Sequence, residues 1–141
     1  MKRFLSVFLS VLILLSFVAC STQPDSTDSH SAEYKITLSN EENSKIYTAV
    51  ISEDSPVIIG RQDTCDIVIN DNKYISRTHC KLSLSNKAII LSDMESTNGT
   101  FVITDGNWTQ ITEKTEINVG DQFMIGLTVL TLTDCQPLNA D

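Results

Sequence analysis

Gly60-Arg61, Ser76-Arg77-Thr78-His79, Asp93 and Ser96-Thr97-Asn98-Gly99-Thr100-Phe101-Val102 are four polar pieces spread over residues 60–102. Between them run Asp66-Ile67-Val68-Ile69, Cys80-Lys81-Leu82-Ser83-Leu84 and Ala88-Ile89-Ile90-Leu91, short apolar or alternating stretches that read as strands. The polar pieces are then loop tips and strand ends on a β scaffold, where binding residues concentrate. After Arg3 the chain has only two arginines, Arg61 and Arg77, and both fall in these tips. In an acidic chain, that placement points to a small anion site.

Outward from this stretch the pattern stays β. Tyr34-Lys35-Ile36-Thr37-Leu38 alternates cleanly, residues 45–51 less so, and Glu41-Glu42-Asn43-Ser44 is the expected turn between them. Pro56 opens a strand that leads into Gly60, a position where its missing donor is tolerated. Residues 101–103 run to an Asp105-Gly106 turn. One or two strands are expected within 108–117, and residues 121–126 and 128–133 close the series. No amphipathic helix is legible after residue 20, and there is no internal repeat. Many short strands between Gly, Asn and Asp turns indicate an all-β sandwich or barrel.

Gly-Arg, Ser-Arg-x-His and Ser-Thr-Asn-Gly-Thr-Phe-Val, in this order and spacing, resemble the forkhead-associated (FHA) domain, a phosphothreonine-peptide-binding fold. Cys65-Asp66-Ile67 and Asp93 fit the same pattern. The resemblance implies an FHA-like β-sandwich of about 11 short strands. It spans roughly residues 34–134, and we draw the domain at 34–135 with a short tail at 136–141. It also implies that Arg61 and Ser76 hold the phosphate, that Thr97 and Asn98 face phosphate or ligand backbone, and that Arg77 adds charge. His79 would brace a loop, and Gly99 would permit a tight turn. No cofactor and no metal is implied.

The chemistry of those residues agrees with such a role. A phosphothreonine carries about −1.5 to −2 charge and three strong acceptor oxygens. Arg61 offers a planar fork of donors, and Gly60 before it permits a backbone path that a Cβ would hinder. Ser76 offers a hydroxyl and a backbone N–H from a facing loop. Each charge-assisted bond is worth about 1.5–3 kcal/mol, so three or four, less ordering costs, give about micromolar affinity. Flanking specificity is expected from residues 71–75, where Lys73 would favour an acidic ligand residue or simply be solvated, and from Met94-Glu95.

Plainer readings of the same residues stay open. Asn98-Gly99 is the strongest short hairpin signal, and Asn98-Gly99-Thr100 and Asn107-Trp108-Thr109 match a glycosylation sequon. Ser76, His79 and Asp93 can be drawn as a hydrolase triad. However, Ser76 and His79 lie three residues apart, with no glycine elbow and no oxyanion loop. The chain is therefore read as no enzyme. Cys65 and Cys80 open neighbouring strands and are either a bridge or buried thiols. With Cys135 they make an odd number, and no CxxC or paired-histidine spacing suggests a metal.

Composition narrows the partners. The formal charge is −8 over 141 residues; without residues 1–19, which hold Lys2 and Arg3 but no acid, 8 basic face 18 acidic residues, a net of −10. Nucleic acid, bound mainly by phosphate neutralisation, is excluded on that balance. Residues 1–19 have a basic start and an apolar run from Phe4 to Ala19, the layout of a signal peptide. Cys20 directly after Ala19 resembles the bacterial lipobox, although Phe17 stands where that family usually has Leu. Lipidation at Cys20 would anchor the chain, and residues 20–33, rich in Ser, Thr and Asp, read as a disordered tether reaching about 20 Å. The alternative is an uncleaved span, for which the run is near the ~17-residue lower limit. Either way the β domain is expected outside the cytoplasm, and on the lipobox reading it is lipid-anchored to a bacterial membrane.

Two functions follow as expectations. The first is a membrane-tethered, non-catalytic module that recognises phosphothreonine peptides or proteins. The second is a structural envelope lipoprotein that makes phosphate-independent contacts on the same scaffold. Threonine kinases use cytosolic ATP, so the first requires a partner phosphorylated before export or by an extracellular kinase.

Overall fold

The computed structural model describes residues 31–139; the expected leader, Cys20 and the expected tether as far as His30 lie outside the described residues. Eleven strands form two sheets. They are β1 (Tyr34–Asn40), β2 (Ile46–Ile51), β3 (Val57–Gly60), β4 (Ile67–Val68), β5 (Cys80–Ser85), β6 (Ala88–Asp93), β7 (Thr100–Thr104), β8 (Asn107–Gln110), β9 (Thr115–Ile117), β10 (Gln122–Ile125) and β11 (Thr128–Pro137). One sheet has the order β2-β1-β11-β10-β7-β8 and the other β4-β3-β5-β6-β9. The β3–β4 pair is parallel and the rest are antiparallel.

Alternation puts one face of each sheet inward. Ile36 and Leu38 of β1, Leu82 of β5, Phe123 and Ile125 of β10, and Leu130 and Leu132 of β11 are fully buried between the sheets. Each such side chain contributes about 1.5–3 kcal/mol by leaving water. Between Thr37 and Leu38 the β1–β11 register slips, from Thr37 opposite Asp134 to Leu38 opposite Leu132. This bulge at Thr133 lets Cys135 stand opposite Ile36 and join the inner face instead of turning outward.

Three details depart from the sequence reading. Residues 66–69 give only the two-residue β4, because the Asp66 carboxylate accepts the Ile58 N–H (2.7 Å) where a ladder would otherwise continue. β3 lies between β4 and β5, so Cys65 and Cys80 do not open neighbouring strands, and both are free buried thiols. β11 extends the sheet to Pro137, opposite Tyr34, two residues into the stretch assigned to the tail.

Candidate functional site

The β3–β5 ladder continues past the strands and draws two loop tips together. His79 N–H donates to Ile59 O (2.9 Å), Arg61 N–H to Ser76 O (3.1 Å) and Gln62 N–H to Arg77 O (3.2 Å). Gly60 sits inside this contact. A Cβ there would stand 2.1 Å from the Arg77 carbonyl oxygen and 2.8 Å from its carbon. The glycine is therefore required for close approach of two backbones, and the Arg77 carbonyl is what a Cβ would meet.

Arg61 is exposed, and its Nε–H donates to Ile75 O (2.9 Å). That one bond fixes the side chain along the facing loop and leaves the terminal guanidinium nitrogens without a partner among the described residues. Ser76 is half-buried, and its hydroxyl oxygen accepts the Thr97 N–H (3.0 Å). Its O–H remains free to donate. The Ser76 backbone N–H does not: it donates to His79 Nδ1 (3.0 Å), which corrects the expectation that it faces a ligand. The Asn98 Nδ2 amide donates to Tyr74 O (2.7 Å), so Thr97 and Asn98 both tie their turn to the loop that carries Ser76. Arg77 is also exposed at this tip, and its carbonyl receives Gln62 N–H and the Cys65 thiol (3.1 Å). Arg61, Ser76, Thr97 and Asn98 thus meet on one end of the sandwich, with Arg77 beside them.

Two groups, the buried His79 and the half-buried Asp93, hold the tips in place. His79 is fully buried; Nδ1 accepts from Ser76, and Nε2–H donates to Gly99 O (2.9 Å), which requires the neutral ring with its proton on Nε2. Burial lowers the His79 pKa from its ordinary 6.5, partly offset by the Gly99 carbonyl and the Asp93 charge. Asp93 closes the following turn. Its carboxylate accepts Ser96 N–H (3.0 Å), Ser96 O–H (2.6 Å) and Thr100 O–H (2.6 Å). Burial opposes its charge, but the bonds from Ser96 and Thr100 and the nearby His79 prevail and hold the carboxyl below its ordinary value.

The drawn triad does not form. His79 meets the Ser76 backbone and not its hydroxyl, and the other ring nitrogen faces Gly99 and not Asp93. Nor is Asn98-Gly99 a hairpin. β6 and β7 belong to different sheets, so the turn carries the chain across the sandwich, with Gly99 at φ +82°. The sequence reading gave no role to Ser96 and Thr100, although both lie in the quoted motif. It also missed Asn72, whose side-chain amide donates to Gly126 O and to Thr128 Oγ1 (2.9 Å), joining the 71–75 loop to the β10–β11 turn. Partners more than fifty residues away leave no local signature. Lys73 stands 5.3 Å over the Tyr74 ring, a cation–π contact at the edge of the site.

Two sheets whose loops gather an arginine, a serine hydroxyl and a braced Asn-Gly turn at one end define an interaction fold of FHA type, and residues 57–126 match the FHA domain family. The folded part of the chain has the fold of an FHA domain. FHA domain-containing protein FhaB of Mycobacterium tuberculosis is 28% identical over 103 residues, 73% of this chain and 61% of FhaB. The chain thus spans about three fifths of the length of that curated relative. Among solved structures, the FHA domain of the CT664 protein from Chlamydia trachomatis superposes with a TM-score of 0.58 at 23% identity, covering 71% of this chain and 97% of that one. Mycobacterium tuberculosis EmbR, solved in complex with a low affinity phosphopeptide, gives a TM-score of 0.59 at 24% identity over 69% of this chain and 24% of EmbR.

Proposed function

We propose that this chain is a non-catalytic, membrane-tethered module that recognises phosphothreonine-containing peptides or proteins through the loop face built on Arg61 and Ser76. The observation that carries the reading is the pairing of those two tips: a guanidinium with free terminal nitrogens beside a serine hydroxyl with a free proton. Both are donors, Arg61 exposed and Ser76 half-buried, on loop tips that a backbone bond joins. Arg77 adds charge, and Thr97 and Asn98 line the approach. That EmbR has been solved with a phosphopeptide on a similar fold supports the assignment.

The tether is the second part of the proposal. A basic start, an apolar run and Ala19-Cys20 support a lipid on Cys20, a bacterial membrane anchor and an extracytoplasmic domain. A phosphothreonine peptide library titrated by fluorescence anisotropy tests the binding claim. Wild type is expected to bind members at about micromolar affinity, and Arg61→Ala to lose at least about tenfold, the equivalent of one charge-assisted bond. Capture of a partner by wild type and Arg61→Ala alike, with no phosphopeptide affinity, would favour a phosphate-independent envelope assembly role instead.

A further inference from the structure

Three of the four sheet edges among the described residues are short. β4 has two residues, β9 three and β8 four, which leaves little backbone for a further strand. The fourth edge is β2, six residues reading Ile46-Tyr47-Thr48-Ala49-Val50-Ile51. It has no charge, no proline and no bulge, the devices that normally keep a sheet edge from pairing. Ile46 and Val50 stand 57% and 50% exposed on its outer face.

The hairpin fixes which way the unpaired backbone groups of β2 point. Asn40 N–H donates to Lys45 O (2.8 Å), and the pairing continues unbroken from Ser39 opposite Ile46 to Tyr34 opposite Ile51. Lys45 thus turns its carbonyl to β1. Strand alternation then aims the N–H and C=O of Ile46, Thr48 and Val50 at the open side.

We infer that β2 pairs antiparallel with β2 of a second copy about a twofold axis at Thr48, which joins two six-stranded sheets into one. In that register Ile46 stands opposite Val50 of the second copy and Thr48 opposite Thr48, so every outward N–H and C=O of the three residues finds a mate. The side chains match as well. The exposed β-branched pair cover each other, two threonines meet on the axis, and on the inner face the large Tyr47 lies against the small Ala49. Each strand is basic before its start, at Lys45, and acidic past its end, at Glu53-Asp54. Antiparallel pairing brings those unlike charges together, whereas a parallel mate would set like beside like. A register moved by one residue would oppose inward and outward side chains. Moved by two, it would call on Ser44 or Ser52, whose N–H groups already donate to Asn40 O and Ser55 O. The edge holds none of Arg61, Ser76, Thr97 and Asn98, so this pairing is independent of the phosphothreonine reading.

Sedimentation equilibrium of the full chain at about 0.15 M salt, where repulsion between acidic copies is screened beyond about 8 Å, tests the inference. Wild type is expected to form a dimer. Thr48→Lys, which sets two lysines face to face on the axis, should dimerise at least about tenfold more weakly. Thr48 is exposed, so the Tm of that variant is expected within about 4 °C of wild type. Thr48→Cys gives a second readout that does not depend on the lysine variant's stability. Residues opposed in a hydrogen-bonded pair have Cα atoms about 5.5 Å apart, within disulfide range. Under mild oxidation Thr48→Cys should therefore form a disulfide-linked dimer, and Thr37→Cys, on the interior strand β1, should not. A wild type that stays monomeric, a folded Thr48→Lys that dimerises as strongly, or a Thr48→Cys that crosslinks no more than Thr37→Cys would overturn the inference and leave the phosphate site standing.

Discussion

Arg61 reaches its place by two bonds to one loop, backbone N–H to Ser76 O and Nε–H to Ile75 O. The residue was legible because an acidic chain with two arginines past Arg3 puts both in loop tips. What it touches was not, since those bonds depend on a strand ladder that continues into the loops. Gly60 shows the same division. The residue stood out, but its reason was close packing against the Arg77 carbonyl, which no local pattern reports. Gly60→Ala is expected to destabilise the domain by about 1–3 kcal/mol, because the backbone must shift to admit the methyl group. It should also weaken phosphopeptide binding by parting Arg61 from Ser76. Chemical denaturation and an anisotropy titration of the variant check both effects. Wild-type stability and affinity in that variant would show that the two loops tolerate separation.

The β6–β7 turn is the element on which the site's geometry depends, and it is set by buried and half-buried polar groups. Asp93 organises its start through Ser96 and Thr100, and His79 joins its end at Gly99 to the Ser76 loop. This gives the site a pH dependence of definite sign. The folded His79 pKa lies below 6.5, so between the two values the unfolded chain binds more protons and stability rises with pH. The contribution is complete above 6.5 and is lost as pH falls through the folded value. Asp93 acts lower, below its ordinary 3.8, and in the same direction. Thermal melts between pH 7.5 and 5 are expected to show Tm falling with acid in wild type. His79→Gln should be less stable at pH 7.5 and flatter over the same range. Equal slopes in the two proteins would remove His79 as the source. In sequence this turn carried a false signal, since Asn98-Gly99 fits a hairpin. Only the assignment of β6 and β7 to separate sheets shows it to be a crossing.

At the scale of the molecule, the all-β class was legible because inward and outward residues alternate, as in Cys80, Leu82 and Leu84 of β5, while the sandwich of about 11 strands came from the family resemblance. Sheet order was not, because periodicity gives a strand its face but not its neighbour. The bulge at Thr133 and the docking of the β10–β11 turn by Asn72 were hidden for the same reason. The address of the chain, in contrast, rests wholly on residues 1–20. Cells expressing the protein and fed a labelled fatty acid should label it, and Cys20→Ala should abolish the label. Label that persists in that variant would move the anchor elsewhere.

The central claim is that oxyanion donors from separate loops converge on one end of the sandwich and take a phosphothreonine. An amide-resolved NMR titration with a phosphothreonine peptide, and with its unphosphorylated twin, tests it most directly. The account predicts saturable shifts centred on Arg61, Ser76, Thr97 and Asn98, and none of that size with the twin. Equal shifts from both peptides, or shifts centred on strands far from these four residues, would contradict it.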